Sequence, residues 1–256
     1  LQTNWKVWDS NKEYGDCFYR RAIGELPEME SSKRMAKEIK KVIKPNESIL
    51  DVGCGAGHYY KSLIREIGHK FCYRGIDSTE YYINLAKKAY KDCDEIEFAV
   101  SDIYSLNFQD SLYDIVMCNN VLLHLPSIEK PLNELVRVAR KHLFVRLLCG
   151  DRAFRIMDIN PDKEEYNDDG EPVEFSFLNI YSRRYIDRIL GSNKKVVKWS
   201  IEKDNEYNKE NIVNSSKENS VFFNRTSVME GWQINGYILM PWVVLKIEVS
   251  EYDKKI

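Results

Sequence analysis

Residues 49–59 read Ile-Leu-Asp-Val-Gly-Cys-Gly-Ala-Gly-His-Tyr, and no other stretch narrows the choice of folds as much. An apolar run ends in an acid, Asp51, and a turn holding Gly53, Gly55 and Gly57 leads into a helix-competent segment. Glycine is needed where the backbone takes positive φ or lets a ligand come close. A strand, a glycine turn and a helix in that order open the nucleotide-cofactor site of a doubly wound sheet. The acid directly before the glycines departs from the dinucleotide fingerprint. A carboxylate there repels a pyrophosphate and attracts an ammonium.

Three more pieces follow at the intervals such a sheet requires. Phe71 to Ile76 is a second strand-like run ending in Asp77, and the turn-to-acid spacing of roughly 20 residues suits a βαβ unit with that acid on ribose hydroxyls. Ser78, Thr79 and Glu80 then begin a helix, so Asp77 also suits an N-cap, and Ser78 joins it as a candidate cofactor contact. Ile96 to Val100 forms a third strand followed by Ser101, Asp102 and Ile103; the carboxylate suits an adenine amino group and the isoleucine suits the ring face. Tyr113 to Cys118 is a fourth strand running into Asn119, Asn120, Val121, Leu122, Leu123 and His124. A cofactor with an ammonium, a sulfonium, a ribose and an adenine meets these groups in turn; S-adenosylmethionine is such a cofactor.

In the segments Asp51-to-Gly57, Gly75-Ile76-Asp77, Ser101-Asp102-Ile103 and Tyr113-to-His124, the chain resembles the class I S-adenosylmethionine-dependent methyltransferases. The pattern is most similar to the small-molecule group typified by ubiquinone, sterol and sugar methyltransferases. The resemblance spans about residues 40 to 150. It implies S-adenosylmethionine as methyl donor, S-adenosylhomocysteine as product, and contacts from Asn119 to the methionine portion. It also implies a seven-stranded Rossmann-like sheet whose last strand is antiparallel and inserted between the fifth and sixth.

The rest of the chain fits an α/β, doubly wound, mostly parallel sheet with helices on both faces. Ser32 to Ile43 has helical periodicity through Met35, Ile39 and Ile43, broken by Pro45-Asn46. Tyr82–Ala89 and Ile128–Ala139 read as helices, and His142 to Cys149 as a fifth strand. Ser182 to Leu190 reads as a helix stopped by Gly191, Val196 to Ile201 as a sixth strand, and Trp242 to Val249 as the last. Residues 1–44, with Trp5, Trp8, Tyr14, Phe18 and Tyr19, form either a helical lid or a helix packed on the sheet edge. Residues 45–256 form the cofactor-binding domain, with insertions near 151–180 and 204–240, the latter holding Val221-Phe222-Phe223, covering the active site.

With 38 basic and 40 acidic residues the net charge is −2, which gives no basic footprint for nucleic acid. An Asn/Asp-Pro-Pro-aromatic motif of nucleic-acid amino methylation is replaced by Cys118-Asn119-Asn120-Val121. The paired-glutamate loop of protein-arginine methylation is not found. No apolar run is long enough for a membrane span, and the opening residues carry no leader pattern. Six cysteines without a Cys-x-x-Cys pair read as reduced thiols, with Cys72, Cys118 and Cys149 in core strands, and point to the cytoplasm. The four histidines show no ligand spacing, so no metal is expected.

The expected partner is therefore a small-molecule methyl acceptor, bound by a monomer or homodimer. His124, past the fourth strand, is the candidate general base; its alternative is a cap or loop hydrogen bond. Tyr19, Arg20, Arg146, Arg152 and Tyr181 are candidate acceptor contacts, and arginine forks suit a phosphate such as that of a nucleotide-linked sugar. Their alternative is plain solvation. Two rival functions stay open: an NAD-dependent oxidoreductase, opposed by the acid before the glycines, and a silent module that keeps the cofactor pocket.

Overall fold

In the computed structural model, residues 11–93, 95–159, 164–204, 226–229, 232–236 and 238–251 are described. Trp5, Trp8 and Val221-Phe222-Phe223 lie outside them. The chain opens with α1 (Lys12–Ile23), capped by the Asn11 side chain and ended by left-handed Gly24, and α2 (Glu30–Lys40). Then come β1 (Ser48–Val52), α3 (His58–Ile67), β2 (Cys72–Asp77), α4 (Glu80–Ala89), β3 (Ile96–Val100) and β4 (Tyr113–Asn119). A single 3₁₀ turn at Leu122–His124 precedes α5 (Glu129–Val138) and β5 (Ala139–Gly150). The short strands β6 (Met157–Asp158), β7 (Ser176–Phe177) and β8 (Tyr181–Ser182) lead to α6 (Arg183–Ser192) and β9 (Val196–Lys203). A small antiparallel sheet of β10 (Thr226–Met229), β11 (Trp232–Asn235) and β12 (Ile238–Met240) comes before β13 (Trp242–Val249).

The main sheet runs β3-β2-β1-β4-β5-β13-β9, with β8 added to the end of β5. β1 to β5 are parallel, and β13 is antiparallel to both β5 and β9. The last strand thus sits between the fifth and sixth long strands, as the resemblance implied. β1 pairs with both β2 and β4, so the strand order reverses there and opens a crevice at the carboxyl ends. Every residue of β4 is buried, as an apolar run covered on both faces should be.

Strand alternation splits the core in two. Ile49, Tyr73, Ile115, Met117 and Phe144 face Met35, Ile39, Leu63 and Ile83 of α2, α3 and α4. Leu50, Val52, Val116 and Val145 face Leu132, Leu135, Ile186 and Ile189 of α5 and α6. By the same period of two, Asp51, Asn119 and Arg146 belong to the first face at the sheet's carboxyl end; Asn119 is paired in register with Arg146.

Two expectations need correction. Cys72 is exposed at the start of β2, whereas Cys118 and Cys149 are buried; the first residue of a strand lies outside the covered part of the sheet. Gly191 does not stop α6, which continues to Ser192 and ends at Asn193. α1 packs on α3 and α4. The stretch after β5 is held down by the β6–β7 pair, a Phe154–Ile180 bridge and a bond from the Asn179 amide to the Leu123 carbonyl (2.9 Å). No helix among the described residues is long and apolar enough to cross a membrane.

Candidate functional site

The glycine turn forms as its sequence demands. Gly53, Gly55 and Gly57 all have positive φ (78°, 55° and 75°). A Cβ on Gly53 would lie 2.2 Å from Val121 Cγ2, and one on Gly55 would lie 3.0 Å from the Phe18 ring. The turn is therefore wedged between the loop after β4 and α1. Gly53 and Cys54 donate their amides to the Ile76 carbonyl (2.7 and 3.0 Å), and Gly55 donates to Asp77 Oδ2 (2.9 Å). The other Asp77 oxygen accepts the Thr79 amide (2.9 Å), so this acid both ties the turn to β2 and closes the loop leading into α4, whose N-cap Thr79 makes no side-chain capping bond.

Asp51 lies at the centre of this face, buried, with Oδ2 accepting the Tyr73 hydroxyl at 2.7 Å. Burial pushes its carboxyl up to about 7; the Tyr73 hydrogen bond opposes the rise and the nearby Asp77 adds to it. Asn119 ends β4 on the same face, buried, with neither Oδ1 nor Nδ2 hydrogen-bonded. A buried amide with both ends unmet is costly and marks a place for a polar ligand. An acid bonded through one oxygen only, and an unmet amide two residues beyond its register partner Met117 on the neighbouring strand, suit the ammonium and carboxylate of an amino acid.

The profile of the family described as a methyltransferase domain matches residues 43–219, a span that takes in the glycine turn, Asp77, the β4 end and the covering segment. The chain belongs to this methyltransferase family. The domain has the class I methyltransferase fold. Among similar proteins, demethylmenaquinone methyltransferase of Staphylococcus saprophyticus is 32% identical over 108 residues, covering 42% of this chain and 46% of that protein. A sterol 24-C-methyltransferase of Gibberella zeae is 31% identical over 101 residues, covering 38% and 26%. The chain therefore spans less than half the length of these two relatives. The structure of magnesium protoporphyrin IX methyltransferase from Synechocystis PCC 6803 with bound SAM superposes with TM-score 0.55 at 15% identity, over 96% of this chain and 95% of that one. At that identity it supports the fold alone.

The other residues of this methyltransferase sort into those brought to the crevice and those kept from it. Ser101, half-buried, donates its amide to the Asp77 carbonyl (3.0 Å), next to the turn. Asp102 is exposed and caps its own loop through the Tyr104 amide (2.9 Å), and Ile103 is buried in the core layer facing α5. Ser78 is exposed beside Asp77. His124 is half-buried under the covering segment, its Nδ1 2.7 Å from the Phe177 carbonyl. A carbonyl only accepts, so Nδ1 carries the proton and, in the neutral ring, Nε2 carries the lone pair. Burial pushes this imidazole down to about 4, against the Phe177 bond.

The expected acceptor contacts are not brought together. Arg146 is buried, ion-paired with Asp204, bonded to Asn120 Oδ1 (2.6 Å) and stacked 3.8 Å from the Trp242 ring centre. Its charge is spent inside the fold. Tyr181 is buried and donates to the Leu122 carbonyl (3.0 Å). Tyr19 lies against Lys88 of α4, Arg20 is exposed beside Glu25, and Arg152 is exposed.

Two residues near the turn, His58 and Tyr59, escaped the sequence reading, and Phe18 enters it only as part of the segment 1–44. Phe18 stacks on His58 with centroids 4.4 Å apart and planes at 5°. His58, the first residue of α3, is buried with Nδ1 unpartnered, and burial pushes it down to about 3. Tyr59 donates to Ser31 (2.8 Å) and accepts from Asn120 Nδ2 (3.4 Å). Their significance comes from tertiary neighbours; the only sequence signal for His58 and Tyr59 was their place directly after Gly57. Among the described residues no three metal-ligating side chains cluster.

Proposed function

We propose that this chain transfers a methyl group from S-adenosylmethionine to a hydroxyl or amine of a small molecule held between the β4 end and the segment 151–181. The observation that carries this reading is the buried, wholly unpartnered Asn119 amide beside the buried Asp51 carboxyl at the sheet's switch point. Asp51 takes the donor's ammonium, Asn119 its carboxylate or amino group, and the amides of the glycine turn line its approach. Asp77 and Ser78 meet the ribose, and Ser101, Asp102 and Ile103 flank the adenine. When bound, S-adenosylmethionine supplies an electrophilic methyl on a good leaving group.

What this chain adds is alignment and proton removal. Alignment can contribute about 7–11 kcal/mol in favourable cases. His124 stands neutral, in the tautomer whose Nδ1 proton faces the Phe177 carbonyl, and is the imidazole placed at the β4 end to accept a proton from a hydroxyl. Phe18 of α1, stacked on His58 against the glycine turn, supports a lid role for residues 1–44, and the strapped segment 151–181 supports a cover that excludes water. With Arg146 committed to Asp204, the acceptor needs no anionic group, and the nucleotide-linked sugar gives way to a neutral small molecule. The quinone and sterol in the relatives' names belong to that broader class. Six free thiols suit a cytoplasmic enzyme.

The test is methyl transfer from isotopically labelled donor to a panel of phenols, alcohols and amines, read as labelled product. Transfer to at least one neutral acceptor, reduced by His124→Ala, is expected. Transfer confined to phosphorylated acceptors, or unchanged in His124→Ala, would overturn the reading.

A further inference from the structure

Among the described residues, the Tyr73 hydroxyl is the one group hydrogen-bonded to the Asp51 side chain. Tyr73 is buried in β2, two residues before Gly75, whose missing side chain leaves Phe98 and Cys54 to close over the strand. β1 and β2 pair with Asp51 opposite Gly75, so the tyrosine reaches along the strand to Oδ2 at 2.7 Å. Oδ1 accepts no hydrogen bond among the described residues. One oxygen is thereby fixed and the other left for a ligand.

The titratable groups within the field of Asp51 are Tyr73 and Asp77 from β2, Cys54 from the glycine turn, Tyr59 from α3 and, on the opposite face of the sheet, Cys118 from β4. None of these is a cation. Arg146, whose field reaches Tyr59, is paired with Asp204. An acid buried among neutral and acidic neighbours tends to take up a proton. A neutral acid offers an ammonium far less than a carboxylate does.

Building on the donor site proposed above, we infer that Tyr73 is the positioning residue of the ammonium subsite: its hydroxyl orients the Asp51 carboxyl and keeps it anionic for the donor's ammonium. Burial and the neighbouring Asp51 hold the tyrosine itself well above its usual range, so it remains a donor throughout. The sign follows directly. Binding needs ionised Asp51, so affinity rises as pH climbs through about 7 and then levels. Removing the hydroxyl removes the interaction that favours the anion, and the rise moves to higher pH.

The experiment is calorimetric titration of S-adenosylhomocysteine into wild type and Tyr73→Phe from pH 6.5 to 9. The product's own amino group titrates too, so the ratio of the two dissociation constants at each pH is the readout. A displacement of one pKa unit makes Tyr73→Phe about tenfold weaker at pH 6.5 and within about twofold of wild type at pH 9. In an Asp51→Asn background the ratio becomes independent of pH. A deficit equal at all pH values marks a packing role only and overturns the inference. Absence of binding by folded wild type overturns the donor site itself, and this inference with it. Should Tyr73→Phe fail to fold, the wild-type Tyr73 hydroxyl proton decides: its NMR shift follows the Asp51 titration if the inference holds, and stays constant if it does not.

Discussion

The two ends of the crevice are built by different means. On the proposed donor side, β1, the glycine turn and Asp77 lie within 48–77, and the bonds among them, Gly53 to Ile76, Gly55 to Asp77 and Thr79 to Asp77, span at most 23 residues. On the proposed acceptor side, His124 is held by Phe177, Leu125 by Asn179, and Arg146 by Asp204, across sequence separations of 53, 54 and 58 residues. The proposed donor side leaves polar atoms unmet in the protein, at Asp51 and, from β4, at Asn119. The proposed acceptor side meets its strongest charge internally. The glycine-turn part of the crevice is thus written into one contiguous unit, while the part around His124 depends on how distant segments fold over it.

The largest effect expected from this contrast is on stability, at Arg146. Arg146→Ala breaks the buried Arg146–Asp204 ion pair and should cost about 3–5 kcal/mol, measured by urea unfolding. A loss below about 1 kcal/mol would show that the pair is not the internal clasp described and would return Arg146 to the acceptor. Next comes His124→Ala, which should lower kcat about a hundredfold while leaving S-adenosylhomocysteine affinity unchanged. Because burial holds His124 down to about 4, the acid limb of the rate between pH 6 and 8 should not belong to it. Asp51, at about 7, should supply that limb through donor binding, with activity lost as pH falls.

A smaller effect separates the two ends at Asn119. Asn119→Leu removes two unmet buried polar atoms and should raise stability by about 1 kcal/mol, while weakening S-adenosylhomocysteine binding about tenfold. Loss of stability with unchanged binding would make Asn119 a structural residue. Smallest of all, Arg152→Ala should shift stability by less than about 0.5 kcal/mol, as exposed substitutions do, and leave donor affinity unchanged. A marked rise in the acceptor's KM would restore Arg152 as a contact.

What could be read from the sequence follows the same division. Asp51, Asp77 and Asn119 each end an apolar run, and strand periodicity with βαβ spacing brought their carboxyl-end positions into view. The antiparallel last strand came only through the family resemblance, because strand order is a tertiary property. Tyr73 looked like one more apolar strand residue; its reach to Asp51 depends on the β1–β2 register and on Gly75 leaving room. Arg146 looked like a free cation because Asp204 lies beyond α6 and β9. Tyr181 looked like an acceptor contact because the Leu122 carbonyl to which it donates is invisible without the fold.

The central claim is that the carboxyl-end crevice beside Asp51 and Asn119 receives the methyl donor through its amino-acid end. Solution NMR of the Asn119 side-chain amide during addition of S-adenosylhomocysteine measures this directly. A saturable shift of that resonance, matched by a one-to-one stoichiometry, is the predicted result. An Asn119 signal that stays put while the product binds elsewhere on the chain, or at no site, would contradict it.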